Sequence, residues 1–311
     1  MVRKQSDDEA PSASRSAQAP QAVQEPPAKA GPKQRSTSVV IFALMIAMLL
    51  AMLDNMIVGT AMPTIVGELG GLDHLSWVVT AYTLATAAST PIWGKLGDMY
   101  GRKGVFLTSI VIFLGGSALS GMAQSMGELI GFRAIQGLGA GGLMVGVMAI
   151  IGDLVPPRER GRYQGIMAGV MAVAMIGGPL VGGTLTDHLG WRWIFYINLP
   201  LGAIALAAIT AVLHLPKKRS QGRIDYTGAA LLTVGITALV LITTWGGNEY
   251  AWGSFEIIGL GALGVLALVA FLYVETKVAE PVLPLHIFRN RNFTLVTAIG
   301  FLTGFVMFGS T

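Results

Sequence analysis

Residues 94–104 read Gly94-Lys95-Leu96-Gly97-Asp98-Met99-Tyr100-Gly101-Arg102-Lys103-Gly104 and separate two long apolar runs. Glycine occupies four of these eleven positions, so the backbone is expected to turn tightly here and bring two helix ends together. Asp98 and Arg102 are four positions apart, a spacing that allows an ion pair within the stretch. A plain hairpin whose positive charges only orient the chain in a membrane would explain Lys95, Arg102 and Lys103 equally well.

The composition indicates a membrane protein with many spans. Of the 311 residues, 53% are hydrophobic and only 12% are charged, about half the charged fraction of soluble proteins. Because the chain has no cysteine, it cannot contain a disulfide, a thiol nucleophile or a cysteine metal site. The net charge of +4 lies almost wholly in short loops beside apolar runs, which predicts topology rather than a nucleic-acid partner. The histidines are far apart and form no ligand pair, so no metal site is predicted: His74, His188, His214 and His286.

Apolar runs divide the chain into a tail and nine spans. Residues 1–37 are rich in Ala, Pro, Ser, Gln and charged residues and lack apolar periodicity, which predicts a disordered tail. Eight complete runs follow, each near the ~20 residues that cross a bilayer as a helix, and a ninth begins near Phe293. The complete predicted spans are 38–60, 75–94, 104–124, 128–152, 162–186, 193–214, 226–245 and 255–274.

The positions of the basic residues predict the orientation. Nineteen of the 21 lysines and arginines fall in the tail and in alternate loops, whereas Arg192 lies in an opposite loop and Arg133 inside a helix. The positive-inside rule then places the N-terminus in the cytoplasm, and an odd number of spans places Thr311 outside. Thr311 ends a helix without a polar tail, so we expect either a naturally short protein or a fragment of a longer one.

Two charged residues lie inside predicted spans. A central Asp costs roughly 2.5–3.5 kcal/mol on insertion scales, so Asp54 is expected to face protein or water, and Arg133 carries a similar penalty. Asp54 is about six residues from the outer end of its span and Arg133 about five, so both are predicted roughly 8–9 Å below the outer surface. Equal depth predicts an interaction, direct or through water. The pair is either purely structural or a carboxylate that exchanges a proton, since burial disfavours and a nearby cation favours the charged form.

The fourth span predicts a helix face with both packing and polar positions. Arg133, Gln136, Gly137, Ala140 and Met144 share this face. The small residues allow close helix contact, while the arginine and the glutamine offer donors into a cavity.

The fifth span contains a proline among glycines. Pro179 removes a backbone donor and is predicted to kink the helix, while Gly178, Gly182 and Gly183 let another helix approach. A packing kink is the plain interpretation of this pattern.

Methionines supply candidates for a small-molecule cavity. Met167, Met171 and Met175 recur every four residues along one face of the fifth span. Methionine adapts to varied apolar ligands, although such a row more often serves packing. Our candidate cavity residues are Gln136, Met144, Met171 and Met175.

Several of these stretches together resemble the major facilitator superfamily. The order G-x-L-x-D-x-x-G-R-K of 94–103 resembles its loop between helices two and three, and residues 129–141 resemble its fourth-helix motif. The order G-P-x-x-G-G of 178–183 resembles its antiporter motif, with Ala174 where the family has an earlier glycine.

Other stretches resemble the fourteen-helix drug:proton antiporters of this superfamily. Residues 191–200 look like the opening of their sixth helix, although the aromatic residues there would also suit an interfacial belt. Residues 53–63 look like their first-helix motif, with Met56 where Thr is usual and Gly59 where Asn is usual, which bears on substrate range more than on the proton site. Two plain apolar helices follow the sixth, and the ninth resembles the first helix of a second half. The resemblance covers about 38–311, the first nine helices.

The resemblance implies an all-α polytopic membrane protein with the major facilitator fold. The implied domains are a cytoplasmic tail (1–37), an N-terminal six-helix domain (38–214), two extra helices with linkers (215–291) and the first helix of the C-terminal half (292–311).

The resemblance also implies a function. The protein would export drugs or other amphipathic small molecules across the plasma membrane, a bacterial inner membrane, in exchange for protons and so confer antibiotic resistance. It would be no enzyme, would need no cofactor beyond the proton gradient, and would be monomeric when full length. Asp54 would couple protons with Arg133 modulating it. A cytoplasmic gating network would comprise Asp98, Arg102 and Asp153, and the antiporter kink Gly178, Pro179, Gly182 and Gly183.

Alternatives remain open at this point. One is a single-metabolite exporter or a facilitator-type importer on the same fold. The other is a non-transporting half-transporter subunit. An integral membrane enzyme is disfavoured because the spans contain no catalytic constellation.

Overall fold

The computed structural model describes residues 34–213, 225–247, 249–278 and 281–309, and within these ranges the chain is helical almost throughout. The predicted tail lies outside the described residues as far as residue 33, and so does most of the loop after the sixth span. The α-helices are α1 (Gln34–Leu69), α2 (Leu75–Tyr100), α3 (Arg102–Met122), α4 (Met126–Leu154), α5 (Arg160–Leu189), α6 (Trp193–Tyr196), α7 (Asn198–Val212), α8 (Tyr226–Trp245), α9 (Phe255–Glu275) and α10 (Arg291–Gly309).

Seven described helical segments are long and apolar enough to cross a membrane, with α6 and α7 counted as one segment. Two of the nine predicted spans are not among the seven described: the ninth, which lies in α10, and the second, 75–94, which lies in α2. For the second span, the reason is that α2 carries hydroxyl groups that bond to α4 rather than apolar groups that face lipid. Thr86 Oγ1 donates to the carbonyl of Gly137 at 3.1 Å, and Ser89 Oγ donates to that of Leu138 at 3.3 Å. The predicted all-α membrane fold is confirmed.

The glycine-rich stretch 94–104 turns more sharply and over fewer residues than its sequence suggests. Helix α2 continues through the first two glycines to Tyr100, and α3 begins at Arg102. The break falls at Gly101 alone, whose φ of 99° favours glycine. Its N–H still donates to the carbonyl of Gly97 at 3.0 Å, so the two helices meet with almost no loop between them.

Helix α1 extends nine residues beyond its predicted end at 60, to Leu69. Pro63 lies inside it without ending it. The helix ends at Gly70 and Gly71, which both have positive φ (69° and 77°). At this far end, Glu68 accepts hydrogen bonds from Trp191 Nε1 at 2.7 Å and from the guanidinium of Arg192, which fastens α1 to the turn before α6.

The centre of the bundle is a close packing of α2, α3 and α4. Glycines on α4 allow this approach, because a Cβ at Gly139 would lie 2.6 Å from Phe113 Cα. On the facing helix, a Cβ at Gly116 would lie 2.5 Å from Gln136 Cα. A larger residue at either position would force the backbones apart.

Helices α8 and α9 form a hairpin on the outside of α2. The rings of Trp77 and Trp245 meet edge to face with centroids 5.4 Å apart. Thr233 Oγ1 donates to the carbonyl of Ala88 at 3.5 Å. Helix α10 follows a 3₁₀-helix at Leu285–Arg289 and packs against it.

Candidate functional site

A buried polar cluster surrounds Asp54 in the middle of α1. The Asp54 carboxylate is 1% exposed and forms an ion pair with the guanidinium of Arg133 through Oδ2. Its other oxygen, Oδ1, accepts from Gln136 Nε2 at 2.8 Å and from Asn198 Nδ2 at 2.7 Å. Three donors from α4 and α7 therefore hold one carboxylate, which is the arrangement that a buried charge requires.

Arg133 is wholly buried and only partly satisfied. Its NH1 group donates to Asp54 and to Gln136 Oε1, the latter at 2.8 Å. Its Nε and NH2 groups donate no hydrogen bond to any residue that the structure describes. The guanidinium instead lies 4.0 Å above the ring of Tyr82, a cation–π contact that is strong when desolvated. The tyrosine hydroxyl in turn donates to the carbonyl of Ala51 at 3.3 Å.

The predicted contact between Asp54 and Arg133 is present, but the helix ends behind that prediction were wrong. Asp54 lies fifteen residues before the end of α1, and Arg133 lies seven residues after the start of α4. A Cβ at Gly71, just after α1, would lie 3.1 Å from Met126 Cβ at the start of α4, so the two side chains meet although they lie at unequal distances from neighbouring helix ends. That Asp54 exchanges protons stays a prediction.

Two buried members of the cluster received no role from the sequence. Asn198 is 1% exposed and bridges Asp54 and Ser117, whose Oγ accepts from its Nδ2 at 2.9 Å. The hydroxyl of Ser117 donates to the carbonyl of Phe195 at 2.9 Å. A lone amide in an apolar run is the signal that could have identified Asn198, since such a group in a membrane needs a partner.

A second charged group joins α2, α3 and α4 at the end of the bundle that carries Gly101. Arg102 forms ion pairs with Asp98 at 3.1 Å and with Asp153 at 2.9 Å. Its NH1 group also donates to the carbonyl of Ala149. The structure thus brings together the three residues of the predicted gating network, and their gating role stays a prediction.

A cavity of about 230 Å³ lies among α1, α2, α4 and α5. Three of the four candidate residues line it, namely Met144, Met171 and Met175, together with Tyr82 and Asn55. Its wall is mostly apolar with a few hydroxyl and amide groups, which suits a small amphipathic molecule.

The fourth candidate, Gln136, is not among the residues that line this cavity. It is wholly buried, and both ends of its amide are engaged, one by Asp54 and the other by Arg133. The expectation that it faces a cavity is therefore corrected: it belongs to the Asp54 cluster.

The glycines of the fifth helix divide into two kinds. A Cβ at Gly178 would lie 2.5 Å from Met56 Cβ, and one at Gly182 would collide with Thr60 Oγ1, so α1 packs directly on these two. A Cβ at Gly183 would meet no described atom within 4 Å. Helix α5 runs through Pro179 as one helix from Arg160 to Leu189, and the kink stays a prediction.

The described residues form a helical bundle with a buried ion pair and a cavity, features that occur in membrane transporters. The family model described as the Major Facilitator Superfamily matches residues 44–311, and the chain belongs to this superfamily of transporters, which are not enzymes. It is a multi-pass membrane protein. The predicted membership is confirmed.

Relatives of this chain carry drug-transporter names. The chain is 44% identical over 278 residues to the multidrug transporter protein MdtP of Bacillus subtilis (strain 168), covering 89% of this chain and 51% of that protein. It is 43% identical to multidrug resistance protein 3 of the same organism (88% and 53% covered) and 37% identical to the efflux pump FUS6 of Gibberella fujikuroi (87% and 50%). The chain thus spans about half the length of these relatives.

Two solved structures show the same fold. The human organic anion transporter MFSD10 (TETRAN) matches with a TM-score of 0.55 at 20% identity, over 76% of this chain and 62% of that one. An auto-inhibited POT family peptide transporter matches with a TM-score of 0.53 at 14% identity, over 78% and 53%.

Proposed function

We propose that the protein exports drugs or other amphipathic small molecules from the cell in exchange for protons, by alternating access. The observation that carries this proposal is the buried Asp54–Arg133 pair beside a cavity rich in methionine. The names of the relatives support export of drug-like molecules. The distribution of basic residues supports an N-terminus in the cytoplasm of a plasma membrane.

Tyr82 provides the physical connection between substrate and proton. Its side chain lines the cavity, while its ring supports the guanidinium of Arg133. A molecule that enters the cavity contacts Tyr82. The ring of Tyr82 contacts Arg133, and Arg133 compensates the charge of Asp54. A proton that binds to Asp54 removes that charge and weakens its attraction to Arg133. Occupancy of the cavity and protonation of Asp54 are therefore expected to influence each other.

In this proposal the remaining predicted residues take part in the conformational change of alternating access. The ion pairs of Arg102 with Asp98 and Asp153 hold one conformation at the cytoplasmic end, and the contact of α5 with α1 at Gly178 and Gly182 transmits motion past the cavity. Such motion rocks one half of a transporter against the other.

Asp54→Asn tests the proposal, because asparagine keeps the shape of the side chain but cannot exchange a proton. A fluorescent amphipathic dye is added outside membrane vesicles of inverted orientation, which are energised with a proton gradient that is acidic inside. We expect normal insertion and loss of proton-driven dye transport. The matched control is Asp187→Asn, which changes an exposed carboxylate on α5 and should transport normally. Undiminished transport by Asp54→Asn would refute the proton-coupling role.

The pH of the vesicle lumen separates the alternatives. Export in exchange for protons alkalinises the lumen of such inverted vesicles as substrate enters. A transporter that moves substrate and protons in the same direction would instead acidify the lumen as substrate enters, and a uniporter would leave the lumen pH unchanged.

A further inference from the structure

A pair of buried carboxylates lies at the open ends of the α8–α9 hairpin. Asp225 precedes α8 and is 8% exposed, and Glu275 ends α9 and is 4% exposed. Neither belongs to the Asp54 cluster or to the ion pairs of Arg102.

Glu275 holds the linker that leads towards α10. One carboxylate oxygen, Oε1, accepts from the backbone N–H of Val282 at 3.0 Å, and the other, Oε2, accepts from that of Leu283 at 3.2 Å. Residues 281–284 are thereby folded back towards α2, where they form one wall of a cavity of about 570 Å³. Lys95 and Asp98 of α2 stand on the opposite wall.

Asp225 has one satisfied oxygen and one unsatisfied oxygen. Oδ1 accepts from the backbone N–H of Gly228 at 2.9 Å and caps α8. Oδ2 is buried and accepts no hydrogen bond from any residue described in the structure. A Cβ at Gly228 would collide with this oxygen and would lie 3.3 Å from Glu275 Oε1, so the two carboxylates share one small space beside this glycine.

Among the residues that the structure describes, the charges around this space do not balance when both carboxylates are ionised. Within the described ranges, Glu275 interacts electrostatically with one cation, Lys95, and with one anion, Asp225. Of the other charged groups at this end, Asp98 is paired with Arg102, and Lys277 Nζ lies 5.8 Å from the ring centre of Tyr273. Two like charges in one buried space favour the binding of a proton by one of them.

We propose that Asp225 and Glu275 bind one proton between them and form a proton site, distinct from Asp54, that holds the linker 281–284 while the proton is bound. The proton provides the O–H donor that the unsatisfied oxygen of Asp225 lacks. It also leaves a single negative charge facing Lys95.

Loss of the proton releases the linker. The Asp225 carboxylate is tied to the N-terminus of α8, whose dipole favours a negative charge. Repulsion between the two anions therefore displaces Glu275 towards water, and the backbone N–H groups of Val282 and Leu283 lose their acceptor. A change of pH on this side thus alters the wall of the cavity next to Lys95 and Asp98.

The chain contains no cysteine, so a single introduced thiol reports on the linker. Leu283→Cys keeps the backbone N–H, and its rate of reaction with a maleimide is measured in the detergent-purified protein between about pH 5 and 9. Dividing by the rate for His286→Cys, an exposed position in the 3₁₀-helix that follows the linker, removes the ordinary pH dependence of thiol chemistry. We expect the ratio to rise with pH, by up to about tenfold per pH unit, because opening releases one proton.

Three variants on the Leu283→Cys background locate the titrating pair. Asp225→Asn keeps the cap and both acceptors of Glu275 but removes one charge, so the ratio should stay low at every pH. Glu275→Gln removes the other charge and keeps one of the two acceptors, so the ratio should be intermediate and should not change with pH. Glu275→Ala removes the acceptor, so the ratio should be high at every pH.

Two results would overturn the proposal. One is a ratio that does not change with pH in the parent. The other is a pH response of unchanged size in both charge-removing variants, which would place the titrating group elsewhere. Because the assay measures the linker and not transport, its outcome is independent of the proton-coupling role of Asp54.

Discussion

Replacing Asn198 by leucine removes one donor from the Asp54 carboxylate and keeps the number and branching of the side-chain heavy atoms. The side chain is 1% exposed, and its Nδ2 group donates to Asp54 Oδ1 at 2.7 Å and to Ser117 Oγ at 2.9 Å. Leucine is no smaller than asparagine and leaves no cavity, so the perturbation is chiefly the loss of two hydrogen bonds.

The bond to Asp54 dominates the expected cost. A hydrogen bond to a charged group contributes about 1.5–3 kcal/mol, whereas a neutral bond between membrane helices averages about 0.6 kcal/mol. The hydroxyl of Ser117 still donates to the carbonyl of Phe195 in the variant, so it remains hydrogen-bonded after it loses the donor from Asn198. We therefore expect Asn198→Leu to lower the free energy of unfolding by about 2–3 kcal/mol.

A double-mutant cycle with Asp54→Asn assigns this cost to the carboxylate. Reversible unfolding of the purified protein in mixed detergent micelles is measured for the parent, both single variants and the double variant. With a neutral partner the bond is roughly half as strong, so the cost of Asn198→Leu should fall and the coupling should be about 1–2 kcal/mol.

Additivity within about 0.5 kcal/mol would refute the reasoning, because it would mean that Asn198 does not act through the charge of Asp54. Proton-driven transport provides a second readout. Asn198→Asp should impair it more severely than leucine does, because it places two carboxylates side by side.

Further predictions concern α5 and the charged group around Arg102. Gly182→Ala should lower the thermal unfolding temperature, by the equivalent of about 1–3 kcal/mol, because its methyl group collides with Thr60. Gly183→Ala meets open space and should leave that temperature unchanged or slightly raised; equal losses in both would contradict the packing of α1 on α5. Arg102→Gln should cost little stability, about 1 kcal/mol or less, because its ion pairs are partly exposed, yet should reduce transport markedly. Loss of transport only in step with loss of folded protein would argue against gating.

Sequence patterns predicted the helices well and their ends less well. Long apolar runs identify helices because a backbone in lipid must satisfy its own hydrogen bonds. Their ends were harder to predict, since α1 runs to Leu69 and α2 to Tyr100 through residues that look like loop. Hydroxyl groups also lower the hydropathy of α2. Two of them, on Thr86 and Ser89, donate hydrogen bonds to carbonyl groups of α4.

The sequence by itself determined that Asp54 and Arg133 must find partners, because an isolated charge inside a membrane span is costly. It also determined that Asp98 and Arg102 can pair, because residues four apart share a helix face or a short turn. Both inferences depend on local spacing or on a general penalty, and neither requires knowledge of how distant helices meet.

Only the tertiary structure decided which other groups complete these sites. Asn198 reaches Asp54 from a helix 144 residues away in the chain, and Tyr82 presents its ring to Arg133 from α2. The pairing of Asp225 with Glu275 likewise depends on how α8 and α9 close their hairpin. Helix packing selects these neighbours through shape and close contact between faces, and no spacing within a single helix encodes which faces will meet.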